Sequence, residues 1–452
     1  MTHPLSQCQL GIFATCMNYK GKGNYNTDLI LDITDDTDIR RLAAAADKVI
    51  EAHPCVKSRL VMTEEGEPAF EGHPDEEYHT PILEAENRDD VLRRAFRDYD
   101  LLHDRLFNVE IYKTPVGAYL FVGFHHIIYD GMSAQVFERD LERAYAGKKL
   151  EPEAIDSFQI AEREVEERKS PAFEEAKAWH AQEFGDASET DSMPLPDIYG
   201  NEEEDYGRVF EPLHIDTSKM NALGDKSIVY TAAFGITLSK FTGQDKVFFT
   251  TGYHGRADRR TLHSITMMVK TLPVMLNLQN TPSVREMLQT SAEQARLTRQ
   301  YGLYSFSDMH RDLGITTDIN FVYHGKVRSY GMMLDGKYQR GEEILTNTPG
   351  IKFLVMVMYK DDVPYIWIDY QSNKYSREFV LGFKRAYETV ISQMCVKENI
   401  ADIECCDEKM MAELDRFNTL DKGLHELPEN ETVVSLFRKA VAAYPDNTSL
   451  DR

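Results

Sequence analysis

Two adjacent histidines are followed, after a gap of three residues, by an aspartate and a glycine in the segment His125-His126-Ile127-Ile128-Tyr129-Asp130-Gly131. An imidazole titrates near ~6.5, so its neutral form can accept a proton from an attacking amine or alcohol if the ring is held in one tautomer. Successive strand residues face opposite sides, so only one of His125 and His126 points into a given crevice, and the other packs inside. Asp130, if buried, needs a cationic partner, which predicts a salt bridge rather than proton transfer. Gly131 lets the backbone turn or approach a ligand closely. A lone histidine on an apolar strand is most often structural, and a His-to-Asp spacing of this kind arises often by chance. Paired histidines followed by Asp-Gly are rarer.

The elements that must hold this segment are legible around it. Tyr119 to Phe124 is a short apolar run with β-branched and aromatic members, read as a strand, and in Ser133 to Tyr145 the residues Val136, Phe137, Leu141 and Tyr145 share one helical face. The histidines therefore sit at a strand end, facing a helix start. Upstream, Leu42, Ala45, Val49 and Ile50 give a helix from Ile39 to Ala52. Between Glu151 and Asp205 the chain turns charged, loses strand signals and is broken by Pro171, Pro194 and Pro196, which places a lobe junction there.

The second half repeats the grammar, with a helix from Ile228 to Thr242, a strand from Val247 to Thr251 and another from Tyr365 to Tyr370. The paired strands Phe353 to Tyr359 and Pro364 to Tyr370 parallel the earlier pair that ends in the histidines, but end in Gln-Ser-Asn, so the chemistry belongs to the first copy. The expected fold class is α/β: an N-terminal lobe over 1–170, a linker over 171–205, a second lobe over 206–415, and a tail of different character over 416–452.

Composition narrows the function classes. The 452 residues are roughly three times one ordinary domain, and 42% hydrophobic with 28% charged residues is ordinary for a globular protein. A net charge of −24 repels a polyanion, so nucleic acid is not an expected partner. Six irregularly spaced cysteines argue for reduced thiols and a cytoplasmic location rather than a disulfide framework. No leader pattern and no membrane span is read, and nothing has the spacing of a metal site, a phosphate-cradling glycine loop or a coenzyme fingerprint.

The segment His125–Gly131 matches in full the His-His-x-x-x-Asp-Gly signature of the condensation domains of nonribosomal peptide synthetases, relatives of chloramphenicol acetyltransferase, and the chain resembles that family throughout. Pro4-Leu-Ser-Gln-Cys-Gln9-Leu-Gly-Ile-Phe13 is similar to the family's opening motif. Ala52-His-Pro-Cys-Val-Lys-Ser-Arg-Leu60 is similar to its second, normally Arg-His-Glu-x-Leu-Arg-Thr-x-Phe, with Lys57 in place of the second arginine. Met268-Val-Lys-Thr-Leu-Pro273 resembles Phe-Val-Asn-Thr-Leu-Pro with Lys270 for asparagine. Asp415-Arg-Phe-Asn-Thr419 and the Pro445-Asp446 region resemble the linker and first residues of an adenylation domain.

The resemblance implies two chloramphenicol-acetyltransferase-like lobes forming a V around a central tunnel. Phosphopantetheine arms enter its two mouths from a donor acyl carrier protein and an acceptor peptidyl carrier domain, and an amide bond forms between their loads. It needs no cofactor bound in this chain and no metal, since the carriers supply phosphopantetheine. His126 contacts the acceptor amine, either removing its proton or orienting it, and a donor near the Gly131 turn meets the oxyanion. By family analogy Asp130 pairs with a cation of the second motif, with Lys57 first and Arg59 or Arg256 as alternatives. Ser133 either hydrogen-bonds the acceptor arm or caps the following helix, and Tyr129 is either a substrate contact or a packing residue.

Rival readings are an epimerisation domain, a heterocyclisation domain (whose histidines are replaced by aspartates), a non-catalytic recruitment domain of the same fold and a coenzyme A-dependent acyltransferase. The intact histidines oppose the second and third, and the adenylation-like tail opposes the fourth. A downstream adenylation domain is expected in the same polypeptide. The first motif begins a few residues after Met1, which leads to the expectation of a starter domain taking a fatty acyl donor; an elongation domain fed by another subunit is the alternative.

Overall fold

The structure, a computed structural model, describes residues 2–18, 25–200, 205–279, 283–326, 331–344, 351–406, 408–420 and 431–444. It divides into a unit over Met1–Cys405 and a second over Cys406–Arg452. Among the described residues, the large unit is built on two six-stranded sheets and one of three strands. These two sheets are the cores of the two expected α/β lobes.

The first large sheet runs, in spatial order, Gly331–Leu334, Lys337–Ile344, Asn26–Ile33, Gly117–His125, Phe107–Thr114 and Ile82–Glu84. Both faces of its centre are buried. In Asn26–Ile33, Leu29, Leu31 and Ile33 point to a core shared with helices Ile39–Ala52 and Gly131–Tyr145, while Ile30 packs with Val91 and Ala95 on the other face. Helix Ile39–Ala52 begins where Asp38 accepts from the amides of Arg40 and Arg41.

The second large sheet runs Lys270–Asn277, Lys246–Tyr253, Ile319–Lys326, Phe353–Lys360, Val363–Gln371 and Tyr206–Pro212, parallel on both sides of Ile319–Lys326 and antiparallel elsewhere. Its main helix, Lys226–Thr242, is buried at Val229, at Tyr230 and at every residue from Ala232 to Ser239, as a helix apolar nearly all round must be. The internal repetition is visible: Phe107–Thr114, Gly117–His125 and Gly131–Tyr145 form strand, strand and helix, as do Phe353–Lys360, Val363–Gln371 and Arg377–Met394. The second hairpin turns on Asp361 and Asp362, both at positive φ (50° and 64°), the backbone that a tight two-residue hairpin turn requires.

Two expectations are corrected. Pro171 does not break the junction; it opens helix Pro171–Phe184 at the position where its missing amide costs nothing, and Ser157–Glu167 precedes it. The lobes are also not consecutive in sequence. Lys337–Ile344, inside the expected second lobe, pairs with Asn26–Ile33 in the first sheet, from Arg340 opposite Asp32 to Ile344 opposite Asp28. Ile265 and Met267 likewise join the first lobe's core.

The second unit contains helices Glu408–Leu420 and Val433–Ala443. Residues 421–430, which the sequence reads as a loop, and the Pro445-Asp446 region lie outside the described residues. No helix among the described residues is long and apolar enough to cross a membrane.

Candidate active site

Strand Gly117–His125 ends at the first histidine, and the chain then turns at once. The Ile128 amide donates to His125 O at 3.1 Å and the Tyr129 amide to His126 O at 3.2 Å, while the His126 amide reaches Tyr25 O at 2.7 Å. Ile127 and Ile128 are fully buried beneath this turn, and Gln9 of the opening motif, itself buried, donates to Ile127 O at 3.1 Å.

The half-buried His126 ring is held by one bond, Nδ1 to Tyr129 O at 2.6 Å. A carbonyl oxygen only accepts, so Nδ1 carries the hydrogen and the neutral ring keeps its lone pair on Nε2. His125 is the inward member. It is 2% exposed, its Nδ1 accepts from the Ile127 amide at 3.2 Å, and its Nε2 lies 3.8 Å from Cys16 Sγ. Burial, and secondarily the charge of His126, pushes its pKa down to about 3. It is a neutral packing residue, the member of the pair that the alternation expects to pack inside.

Asp130 caps helix Gly131–Tyr145, its Oδ1 accepting from the Ser133 amide at 2.8 Å. The same oxygen receives Arg256 Nη2 at 2.8 Å, and Oδ2 receives the Met268 amide at 3.1 Å. Both side chains of this ion pair are fully buried. Arg256 also donates to Thr261 O (2.5 Å), Ser264 O (2.8 Å) and Thr266 O (3.1 Å), which offsets much of the desolvation of a buried guanidinium. Gly255, just before it, sits at φ 70°, and a Cβ there would lie 2.0 Å from Met268 O; only glycine lets the chain turn Arg256 under the strap 264–268.

The cation facing Asp130 is therefore Arg256, not the first candidate Lys57. Lys57 Nζ is taken by both carboxylate oxygens of Glu51 and by Pro74 O, beside a surface groove of about 1010 Å³ that contains neither histidine. Arg59 forks onto Glu76 at 2.8 and 3.0 Å. Ser133 is neither the cap nor open to a substrate arm: Asp130 is the cap, and the buried Ser133 hydroxyl is shared among Asp130, Arg256 and Thr266. Tyr129, 4% exposed, stacks on Phe124 at 4.1 Å. Asp130 too is sealed from solvent, which makes it structural.

Gly131 differs from the expectation in an informative way. Its φ is not positive and a Cβ there would meet nothing within 4 Å, so the turn is made by residues 126–129 and the exposed Gly131 leaves open space at the first position of the helix. Its amide precedes the first intrahelical bond, from Ala134 to Asp130 O. Sequence reasoning missed the Tyr25 and Tyr129 carbonyls and the strap 264–268, whose contacts are backbone contacts and leave no mark in residue type. Gln9 stood in plain view within the opening motif. No cluster of three metal-ligating side chains occurs among the described residues.

The family model for the Condensation domain matches residues 1–414. The chain is 23% identical to bacitracin synthase 2 of Bacillus licheniformis, covering 99% of this chain and 18% of that protein. It is 25% identical to tyrocidine synthase 3 of Brevibacillus parabrevis, covering 67% and 5%. It thus spans less than a fifth of these relatives. Among solved structures, the starter condensation domain of rhizomide synthetase RzmA superposes with TM-score 0.74 at 17% identity, covering 90% of this chain and 100% of that one. The first condensation domain of the calcium-dependent antibiotic synthetase, in complex with a substrate analogue, gives 0.71 at 16%, covering 89% and 99%. A match over nine-tenths of its length, with the signature histidine, the buried Asp130–Arg256 pair and the two-sheet fold in the same chain, makes this protein a member of the condensation-domain family.

Proposed function

We propose that this chain forms an amide bond between a carrier-bound donor acyl thioester and the amine of a carrier-bound aminoacyl acceptor. One observation carries the reading: Tyr129 O holds the Nδ1 hydrogen of His126 and leaves Nε2 free to accept. The amine nitrogen attacks the thioester carbonyl, its N–H directed to Nε2. As the C–N bond forms, His126 takes the proton; the C–S bond breaks, and the leaving sulfur recovers that proton as a thiol. The Gly131 amide, ahead of the helix's own bonds, is suited to the oxyanion. The carriers bring phosphopantetheine, and two tethered thioester arms supply effective molarity. Free cysteines suit a reducing cytoplasm. Exposed Val433, Val434, Phe437 and Val441 on the tail helix suit coverage by a downstream adenylation domain.

The donor is a fatty acyl chain, as for a starter domain. Half-buried Val322 and Met356 are register partners on one face of the second sheet, and Val322 and Val269 flank Gly252, whose missing side chain leaves room between them. Val269 also packs on the first lobe's core, so an apolar strip faces that lobe, where each buried methylene contributes ~0.8 kcal/mol. The test offers matched fatty acyl and aminoacyl donors with one aminoacyl acceptor. Wild type is expected to prefer the fatty chain, increasingly with its length, and His126→Ala to lose about 10²–10⁴-fold while still folding. Preference for aminoacyl donors sinks the starter assignment alone; near-normal turnover by folded His126→Ala sinks the mechanism.

A further inference from the structure

A second histidine, outside the signature, sits in a site the reaction above does not use. His53 ends helix Ile39–Ala52 and is completely buried. Its Nε2 meets Asp140 Oδ2 at 3.2 Å and its Nδ1 meets Glu153 Oε1 at 2.5 Å. Asp140 lies on helix Gly131–Tyr145, which Asp130 starts. Glu153 precedes helix Ser157–Glu167, and the same Oε1 accepts the Ile265 amide at 2.8 Å. Ile265 belongs to the strap whose Ser264 and Thr266 carbonyls hold Arg256 on Asp130. His53 thus joins the helix of the signature to the strap that closes over it.

A neutral imidazole has one N–H and can donate to only one carboxylate, leaving a lone pair aimed at the other; two carboxylates on two ring nitrogens require the imidazolium. We propose that His53 is a positioning residue of condensation: as an imidazolium it clamps Asp140 to Glu153, and through Glu153 and the strap it sets the Arg256–Asp130 pair on which the geometry of His126 and Gly131 depends. Its charged surroundings are complete on each side. From the signature helix come Asp140 and Arg139, which pair with each other, Arg139 also reaching His263 just before the strap. From the segment before Ser157–Glu167 come Glu153 and Asp156, and from its own chain the buried thiol Cys55. Protonated His53 and Arg139 balance Asp140 and Glu153; loss of the His53 proton leaves a buried excess of negative charge.

Burial alone would lower the pKa of His53, but the hydrogen bonds and charges of Asp140 and Glu153 outweigh it and raise it above the ordinary imidazole value. A raised folded pKa means the clamp's stabilisation is fully present below ~6.5 and fades as pH rises through the folded value.

The proposal rests on the condensation reading, so the experiment has an arm that needs no turnover. Amide formation by the full chain with two loaded carriers and, separately, its thermal midpoint are followed from neutral to alkaline pH in wild type and His53→Gln. Wild type is expected to lose kcat and thermal stability above neutrality. His53→Gln should be slower by about 10–100-fold in kcat, as for a small misplacement of reacting groups, with little change in KM and without the alkaline decline in either readout. A variant that keeps the wild-type alkaline decline in both readouts overturns the proposal. Should His53→Gln not fold, Glu153→Gln keeps an acceptor for Ile265 and removes one charge; the decline must then begin at lower pH, and an unmoved decline overturns the proposal. If wild type makes no amide at any pH while its midpoint loses the alkaline decline on mutation, the clamp stands and the condensation reading falls.

Discussion

His126 keeps a usable lone pair because Tyr129 O fixes its tautomer, while one residue earlier the same side chain is spent on packing. The strand's alternation puts the two rings on opposite sides, and that much was readable in the sequence; the carbonyl that sets the tautomer was not, because a backbone oxygen has no residue type. The packing role of His125 has a measurable consequence. Its folded pKa of about 3 lies below the ordinary ~6.5, so the unfolded chain binds the proton first and stability is lost as pH falls from ~6.5. The loss should approach ~2 kcal/mol at pH 5. His125→Asn, whose side-chain oxygen can take the Ile127 amide, should show a flatter acid limb in thermal midpoint; an equally steep limb assigns the acid sensitivity elsewhere. Gly131 gives the opposite pairing of effects. Nothing in its backbone or surroundings demands glycine, so Gly131→Ala should be neutral or stabilising by ~0.4–1 kcal/mol. Amide formation should nonetheless fall by about tenfold or more, because the methyl occupies space where the reacting carbonyl must approach. Unchanged turnover by Gly131→Ala would remove the oxyanion role from this amide.

Helix Gly131–Tyr145 owes its start to Asp130, and the same carboxylate holds the buried Arg256, so one side chain does two jobs. Asp130→Ala loses a cap worth ~1 kcal/mol and strands a buried guanidinium at ~3–5 kcal/mol. Asp130→Asn keeps an oxygen for the Ser133 amide and for Arg256, and should be milder. Chemical denaturation of the three proteins orders them; an inactive Asp130→Ala with wild-type stability would instead give Asp130 a direct part in catalysis. The helix and strand around the signature were legible because their apolar periodicity is strong: Ile39–Ala52 falls on the residues expected. The partner of Asp130 was not legible. Arg256 lies 126 residues away, whereas Lys57 and Arg59 find acids 6 and 17 residues off, so the analogy with the second motif pointed to the wrong cation.

Two lobes were readable because strand, strand and helix recur, yet the division between them was drawn in the wrong terms. Lys337-Tyr-Gln-Arg-Gly-Glu-Glu-Ile344 is too polar to announce a strand, but it pairs through its backbone, with Gly331–Leu334 on one side and Asn26–Ile33 on the other, and such pairing asks little of side chains. That hairpin and the segment 254–269, which carries both Arg256 and the strap, leave the second lobe to complete the first, one by adding strands beside Asn26–Ile33 and the other by bringing Arg256 to Asp130. The lobes should therefore unfold together. Residues 1–200 alone would expose the Asn26–Ile33 edge, uncover the first core where Ile265 and Met267 sit, and leave Asp130 buried without its cation. Expressed by itself, this fragment should aggregate or remain partly unfolded; produced together with residues 205–405 it should form a soluble complex with one cooperative unfolding transition. Recovery of 1–200 as a stable monomer, with Gly117–His125 protected from hydrogen exchange as in the full chain, would show that the crossing elements decorate the first lobe rather than complete it.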